Sequence, residues 1–346
     1  MQAHTLDALV TATFGAGEPS AGGGGGEGVG YGKLRRLFRS DTYRRAPAAE
    51  KRRALWQAVL DSRYATLPAI RYSYIWTLVR SLYLLLLRRP FSVDSDVRAP
   101  RNKMFHPRGS VGQIRFVADG DHPYTGVFES GAPGVARLSL AMDPGRYLPG
   151  GAFKFLIDSE PSKNVLTVPA MDPIQDHNYF GHVLTTTLRT PKHAPFAVGW
   201  FVVSRWMAMY SDPLIEPLVD VARTTSDGQQ VAEAKAPSQL FLRAPEEIGF
   251  DPRSDQDLRR ELTQRLEPGT LIYRVYGIDR QGSTDEVYIG RIVTESPFVP
   301  SWFGDRVLCF HHMREPAAKY DARLLLFVLA IVALVALGVA LATGRL

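Results

Sequence analysis

An uncharged run near the carboxyl terminus constrains this chain more than any other feature. The 19 residues from Leu324 to Ala342 carry no charge, and their side chains leave no polar face on a helix. At about 1.5 Å per residue, a helix of this length extends roughly 28 Å, close to a hydrocarbon core of about 30 Å. Because a helix packed at the surface of a globular core needs a polar face, the run predicts a transmembrane helix over 324–342.

The charges around this run predict its orientation. Arg314, Lys319 and Arg323 precede it, and only the residues from Thr343 to Leu346 follow it. The positive-inside tendency then places the bulk of the chain on the cytoplasmic side. The amino terminus has neither a basic start nor a continuous apolar stretch, so it does not read as a secretory signal peptide. We therefore expect a single-pass, tail-anchored membrane protein in which residues 311–323 form a juxtamembrane linker.

The amino-terminal part of the chain divides into a glycine-rich tail and a basic segment. Residues 1–32 contain a run of five glycines, and we expect them to be disordered because they cannot bury enough apolar area. Between Lys33 and Arg89 there are 14 Lys or Arg and 3 Asp or Glu. Leu55 and Val59 follow each other at helical spacing. Residues 33–103 are therefore predicted to form a basic, amphipathic helical arm.

Within this arm, the stretch from Tyr72 to Leu87 is apolar except for Arg80 and several hydroxyl groups. Sixteen residues are few for a membrane span, and an arginine near the middle costs about 2.5–3.5 kcal/mol on insertion scales. Three alternatives stay open: a helix lying on anionic lipid, a helix packed on the core, and a second span. We expect no nucleic-acid partner, because Trp and Leu clusters beside a membrane tail favour lipid. For Lys33 to Arg53, the alternative to lipid binding is a basic face that is only solvated.

Residues 104–310 show the alternation of apolar and polar side chains that is typical of β-strands. A single cysteine, Cys309, excludes an internal disulfide framework and fits a reducing compartment. A helix is predicted from about Asp255 to Leu266, where a capping-box pattern precedes leucines repeated every four residues. These patterns predict a domain of the α+β class that consists of an antiparallel β-barrel with helical insertions. The predicted strands are Val111–Val117, Val135–Met142, Ala152–Ile157, Val198–Val203, Leu271–Ile278 and Val287–Val293.

Polar residues recur in order between Met104 and His182, in the stretches MFHPRGSVGQIRF, GVARLSLAM, GGAFKFLID and KNVLTVPAMDPI. In the second stretch, the period of two places Arg137 and Ser139 on one face of a strand. An imidazole with a pKa near 6.5 can move a proton at neutral pH, and a carboxamide can hold an oxygen by a hydrogen bond. His106 and Asn164 supply these two groups.

This ordered set resembles the haem-dependent catalase-like superfamily, which includes the catalase core and allene oxide synthase-like proteins. The resemblance extends over the barrel domain and is dense only in the segment just described. It implies that His106 is the distal acid–base histidine, that Ser139 orients it, and that Asn164 is the distal asparagine. It also implies that Arg137 binds a haem propionate. In such a site the histidine would transfer a proton between the two oxygens of a peroxide.

The resemblance is confined to the distal half of the family pattern. The Arg-x-x-x-Tyr pair that carries the family's haem-ligating tyrosine does not occur after the last predicted strand, and Asp176 stands where the family has a phenylalanine. Tyr320, His311, His312 and Cys309 each have a side chain that can ligate haem iron, and Tyr320 is the candidate that offers a phenolate. No set of residues has the spacing of a metal site built directly from protein ligands.

The resemblance therefore implies a membrane-anchored haem protein that acts on hydroperoxides, and a membrane address suits lipid hydroperoxides. The alternative is a haem-free barrel that serves as a binding or assembly module on a membrane. The expected partners are membrane lipids and a hydroperoxide or another small apolar ligand. Formation of a homo-oligomer is left open by the sequence.

Overall fold

The computed structural model describes most of the chain as far as residue 310. It divides the chain into two units, Met1–Met313 and Arg314–Leu346. The described residues are 5–15, 30–68, 96–97, 100, 103, 106–143, 146–158, 162–169, 179–186, 215–248, 257–279, 283–310 and five scattered positions between 330 and 343.

One antiparallel sheet forms the centre of the first unit. Within the described residues it has nine strands in the order β4-β3-β2-β1-β9-β8-β7-β6-β5. β1 lies between β2 and β9, so the first and the last strand along the chain pair with each other in the middle of the sheet. The strands are β1 (Arg108–Ala118), β2 (Ala132–Asp143), β3 (Arg146–Phe155), β4 (Lys163–Leu166), β5 (Val168–Pro169), β6 (Leu184–Thr185), β7 (Gln239–Arg243), β8 (Leu271–Ile278) and β9 (Val287–Thr294).

The sheet curls because its two end strands are neighbours in the chain. Only Thr167 separates β4 from β5, although these strands stand at opposite ends of the strand order. The Thr167 N–H donates to the carbonyl of Gly151 in β3 at 2.8 Å, and the Thr167 hydroxyl accepts from the Gly151 N–H at 3.1 Å. The prediction of a mixed fold with an antiparallel, barrel-like sheet is therefore confirmed.

The predicted elements that are found differ from the predictions at their ends, and the short strands β4, β5, β6 and β7 were not predicted. Five of the six predicted strands are present, and the sixth, Val198–Val203, lies outside the described residues. The helix predicted from about Asp255 is found at Leu258–Arg265. It begins after Asp257, whose side chain accepts a hydrogen bond from the Arg259 N–H at 3.0 Å and so caps the helix.

The two faces of the sheet support two separate apolar clusters. Because side chains alternate along a strand, Leu138 of β2 and Phe153 of β3 point to the opposite face from Val135 of β2 and Lys154 of β3. The inner cluster includes Ile114, Phe116, Leu138, Leu140, Phe153, Phe155, Tyr273 and Ile292. The outer cluster includes Val111, Val135, Leu156, Val299, Phe303, Val307 and Leu308.

Amino-terminal helices cover the outer cluster. Phe38 is 1 % exposed, and its ring centroid lies 5.6 Å from that of Phe303. Leu34, Leu37 and Val59 are buried in the same cluster, so the helices within the predicted arm belong to the unit that contains the sheet. These helices are α1 (Leu6–Phe14), α2 (Tyr31–Arg39), α3 (Asp41–Arg45) and α4 (Ala48–Asp61).

Helix α1 lies in the range 1–32 that was expected to be disordered. The Thr5 hydroxyl accepts from the Ala8 N–H at 3.3 Å and caps the helix, and Leu6 is buried in the outer cluster. Leu9, Val10 and Phe14 pack against the same cluster, so the N-cap and this apolar side order the nine residues of α1. A composition argument based on the glycine run did not register this pattern. The glycine run itself lies outside the described residues.

No helix among the described residues has both the length and the apolar character needed to cross a bilayer. The predicted span Leu324–Ala342 lies outside the described residues except for four positions, at which the backbone is helical. The linker 311–323 and the apolar stretch Tyr72–Leu87 also lie outside them. The tail anchor and its orientation therefore remain predictions.

Candidate functional site

The four residues of the predicted site lie on or next to the outer face of the sheet. Arg137 and Ser139 share one face of β2, as the alternation predicts, and Ser139 stands opposite Gly109 of β1 and Gly150 of β3. Both side chains are buried, because the turn at 303–307 and the amino-terminal helices cover this face. The site is thus built outside the sheet and not among the aromatic side chains of its interior.

His106 stands two residues before β1 and has a left-handed backbone, with φ of 54°. Its imidazole lies flat against Gly150, where an added Cβ would be 2.7 Å from the ring carbon Cε1. A glycine is therefore required at 150 for the ring to occupy this position. A left-handed conformation is uncommon for a residue with a side chain, so the surrounding contacts must hold it in place.

Ser139 is brought to His106, but its hydroxyl does not make the contact. The Nδ1 atom of His106 is 3.3 Å from the carbonyl oxygen of Ser139, whereas the Ser139 hydroxyl donates to the carbonyl of Gly150 at 3.3 Å. The main chain of β2 therefore orients the imidazole. The resemblance had assigned this role to the hydroxyl group.

The electrostatic surroundings keep His106 neutral. Burial lowers its pKa, the nearby Arg137 guanidinium lowers it further, and together they bring it to about 4, against the opposing effect of the Ser139 carbonyl. Burial and a neighbouring positive charge both disfavour the imidazolium form. At neutral pH the ring is thus a neutral base rather than a cation.

Arg137 forms an ion pair with Asp305 that is almost completely buried. Its Nη2 atom lies 2.7 Å from Asp305 Oδ1, and the two side chains are 3 % and 1 % exposed. The same nitrogen donates to the carbonyl of His106 at 3.0 Å, and the Gly109 N–H donates to Asp305 Oδ1 at 2.9 Å. One carboxylate therefore matches the charge of the arginine that the resemblance assigned to a haem propionate.

The turn that carries Asp305 is held by a second cation. Phe303–Val307 forms a single wide helical turn, and the Lys103 ammonium donates to the carbonyls of Gly304, Asp305 and Leu308 at 3.0–3.2 Å. Tyr64 also reaches Asp305 Oδ2 through its hydroxyl at 3.4 Å. Asp305 was missed by sequence reasoning, because no local pattern marks a carboxylate whose partner is 168 positions away.

Asn164 lies away from the imidazole. It pairs with Lys154 on β3, four residues along the strand from Gly150, and at about 3.3 Å per residue this is a separation of roughly 13 Å. Its side-chain nitrogen donates to the Ser162 carbonyl at 3.2 Å. The structure therefore brings His106, Ser139 and Arg137 together, and it does not bring Asn164 to them.

A second polar cluster surrounds Lys154. Its ammonium is fully buried, lies 2.7 Å from Asp96 Oδ1, and stands 5.5 Å from the centre of the Phe310 ring. The Tyr43 hydroxyl donates to the other oxygen of Asp96 at 2.9 Å, and the Cys309 N–H donates to the Asp96 carbonyl at 2.9 Å. This cluster joins an amino-terminal helix, the sheet and the segment that follows the sheet.

Among the described residues, a small apolar cavity lies in the interior of the sheet. A cavity of about 20 Å³ lies among apolar side chains that include Phe116, Phe153 and Leu242. This volume is enough for about one water molecule. At the inner surface the Tyr179 hydroxyl donates to the Gly150 carbonyl at 2.9 Å, and burial raises the pKa of Tyr179 well above its ordinary value. The described side chains of the interior thus form a buried apolar cluster.

The described residues do not fit the distal pocket of a haem. Arg137 is neutralised by Asp305, Asn164 is far from the imidazole, and the ring of His106 is packed against Gly150. Cys309 is buried beside Asp96, and Tyr320, His311 and His312 lie outside the described residues. In the described ranges, no group of three or more His, Cys, Asp or Glu could hold a metal ion.

Comparison with known proteins assigns no family to the chain. Neither the models of known protein families nor the curated proteins contain a match to this sequence.

Protonation of His106 gives a testable pH dependence. The folded pKa is about 4 and the unfolded value is about 6.5, so the unfolded chain takes up the proton first as the pH falls. The stability that neutral His106 contributes is present above pH 6.5 and is lost between about 6.5 and 4, by about 3 kcal/mol in all. Urea unfolding of the parent and of His106→Gln across this range measures the difference. Parallel profiles would contradict the assignment.

Proposed function

We propose that this chain is a catalase-like barrel that works without haem, as a binding or assembly module held at a membrane. The observation that carries the proposal is the buried pair between Arg137 and Asp305. An arginine that binds a propionate must carry a positive charge that no other carboxylate neutralises. The charge of Arg137 is neutralised by Asp305. If a propionate took the place of Asp305 beside Arg137, the Asp305 carboxylate would be left buried without its partner. Such an uncompensated buried charge is strongly disfavoured.

The fixed polar contacts of the outer face also support a module with a structural role. Arg137 and Lys154 each join the sheet to segments distant in sequence, and each is matched by one carboxylate. Lys51 donates to the carbonyls of Ile157 and Asp158 at 3.0 and 3.1 Å and fastens α4 in the same way. These contacts join segments that are far apart in the sequence within one buried layer. These contacts fix the covering helices to the sheet, which suits a module with a structural role.

Membrane attachment is proposed from the sequence. The uncharged run Leu324–Ala342 is long enough to span a bilayer, and basic residues precede it. The partners proposed for such a module are membrane lipids and a small apolar ligand.

A haem-dependent hydroperoxidase is the second candidate. One observation favours it: the neutral imidazole of His106 lies beside Ser139 and Arg137, in the order that the catalase-like resemblance implies. An imidazole that is unprotonated at neutral pH could accept a proton from a peroxide. The axial ligand would have to come from residues such as Tyr320, His311 or His312.

One preparation tests both parts of the proposal. The full chain is expressed with a haem precursor, its membranes are washed with carbonate, and the solubilised protein is examined for a Soret band. We expect the chain to remain in the washed membranes and to show no Soret band, also after incubation with haemin and desalting. A stoichiometric Soret band that is lost in Tyr320→Phe would establish the haem protein instead. Release of the chain by carbonate would contradict the proposed membrane anchor.

A further inference from the structure

The exposed side of α2 and α3 is strongly basic. Asp41 is the one acidic residue within the two helices. Arg52 and Arg53 of α4 pair with Glu295 and Asp7, whereas the cations of α2 and α3 form no ion pair with any residue that the structure describes. We call these cations the basic face: Lys33, Arg35, Arg36, Arg39, Arg44 and Arg45, all exposed.

Packing fixes the direction of this basic face. Leu34, Leu37 and Phe38 of α2 recur at helical spacing and are 1–3 % exposed in the outer cluster. Tyr43 anchors α3 by its hydrogen bond to Asp96 and by an edge-on contact with the ring of Phe38 at 4.8 Å. The apolar side of these helices is therefore not available to enter a membrane. Whatever binds here meets a rigid array of cations.

The chemistry of the basic face selects an anionic lipid surface as its partner. Rings that could stack on bases are largely absent from it, since Phe38 and Tyr43 are buried. The chain also carries two apolar stretches, Tyr72–Leu87 and Leu324–Ala342, and such stretches accompany lipid rather than nucleic acid. Lys and Arg near an anionic leaflet attract it over about one Debye length, roughly 8–10 Å at physiological salt, without insertion.

We propose that the basic face of α2 and α3 binds the head groups of anionic phospholipids and so holds the folded domain against a bilayer. This inference rests on the proposed function, because it names the surface through which a membrane-held module meets its membrane. It differs from an amphipathic helix that inserts its apolar side, since here the apolar side is part of the protein core.

Binding of the full chain to vesicles tests the inference. The protein, purified in a neutral detergent, is mixed with vesicles of phosphatidylcholine alone or with added phosphatidylserine, and the detergent is removed. The variant carries Lys33→Gln, Arg35→Gln, Arg36→Gln and Arg39→Gln. A matched control has four exposed cations changed elsewhere: Arg223→Gln, Lys235→Gln, Arg260→Gln and Arg274→Gln. Protection of α2 and α3 from protease is measured together with flotation.

We expect phosphatidylserine to protect α2 and α3 in the parent and in the control. In the basic-face variant the phosphatidylserine needed for half protection should rise about 10- to 100-fold. High salt should abolish the protection while the chain still floats. Equal protection on both vesicle types, or an equal loss in the control, would overturn the inference. Binding of double-stranded DNA through the same cations without any lipid preference would overturn it as well. Failure to float on phosphatidylcholine would count against the tail anchor instead.

Discussion

Replacing Asp305 with alanine is expected to lower the free energy of unfolding by about 3–5 kcal/mol. The change leaves the Arg137 guanidinium buried without its carboxylate, and it also removes the acceptor of the Gly109 N–H. Urea denaturation of the full chain, followed by tryptophan fluorescence, measures the loss. Asp285→Ala is the matched control, because Asp285 is exposed, and we expect a change within about 0.5 kcal/mol.

A double variant separates the charge from the packing at this position. In Arg137→Met with Asp305→Leu both charges are replaced by apolar side chains, and we expect a large part of the lost stability to return. Double variants of buried ion pairs behave in this way because neither partner is left uncompensated. If the double variant is less stable than Asp305→Ala alone, the hydrogen bonds to the main chain of His106 and Gly109 dominate, and not the ion pair.

The second large effect is expected at Phe38. Phe38→Ala should lower the free energy of unfolding by about 3–5 kcal/mol, because the ring fills the contact between α2 and the turn that carries Asp305. Arg39→Ala tests for a general effect of an alanine substitution in the same helix. It should change the free energy of unfolding by less than about 0.5 kcal/mol. Equal stability of the Phe38→Ala protein and the parent would mean that α2 detaches freely, as a separate arm would.

The long strands could be predicted from the sequence, and the short ones could not. β1, β2, β3, β8 and β9 have 8–12 residues and show a clear period of two. β4, β5, β6 and β7 have only 2–5 residues, which is too few for a periodic signal, and their places in the sheet come from partners far along the chain. Thr167, which joins the ends of the sheet, carries no local mark of that role.

The site was predictable only as far as local geometry reaches. Alternation correctly placed Arg137 and Ser139 on one face. It could not say that this face is the outer one, because residues on both faces of β2 are buried. The amphipathic pattern around Leu55 and Val59 predicted helices, but it could not show that their apolar side packs on the sheet. Asp305 could not be found, because an ion pair across most of the domain leaves no spacing to read.

The joint at Thr167 also affects how copies of this protein can meet. A sheet that stays open presents rows of unpaired N–H and C=O groups, along which a second chain can add as a further strand. Here the two terminal strands of the sheet have only four and two residues, and they follow each other in the chain. Such short terminal strands offer little backbone to which a second copy could add, so they limit aggregation through this edge.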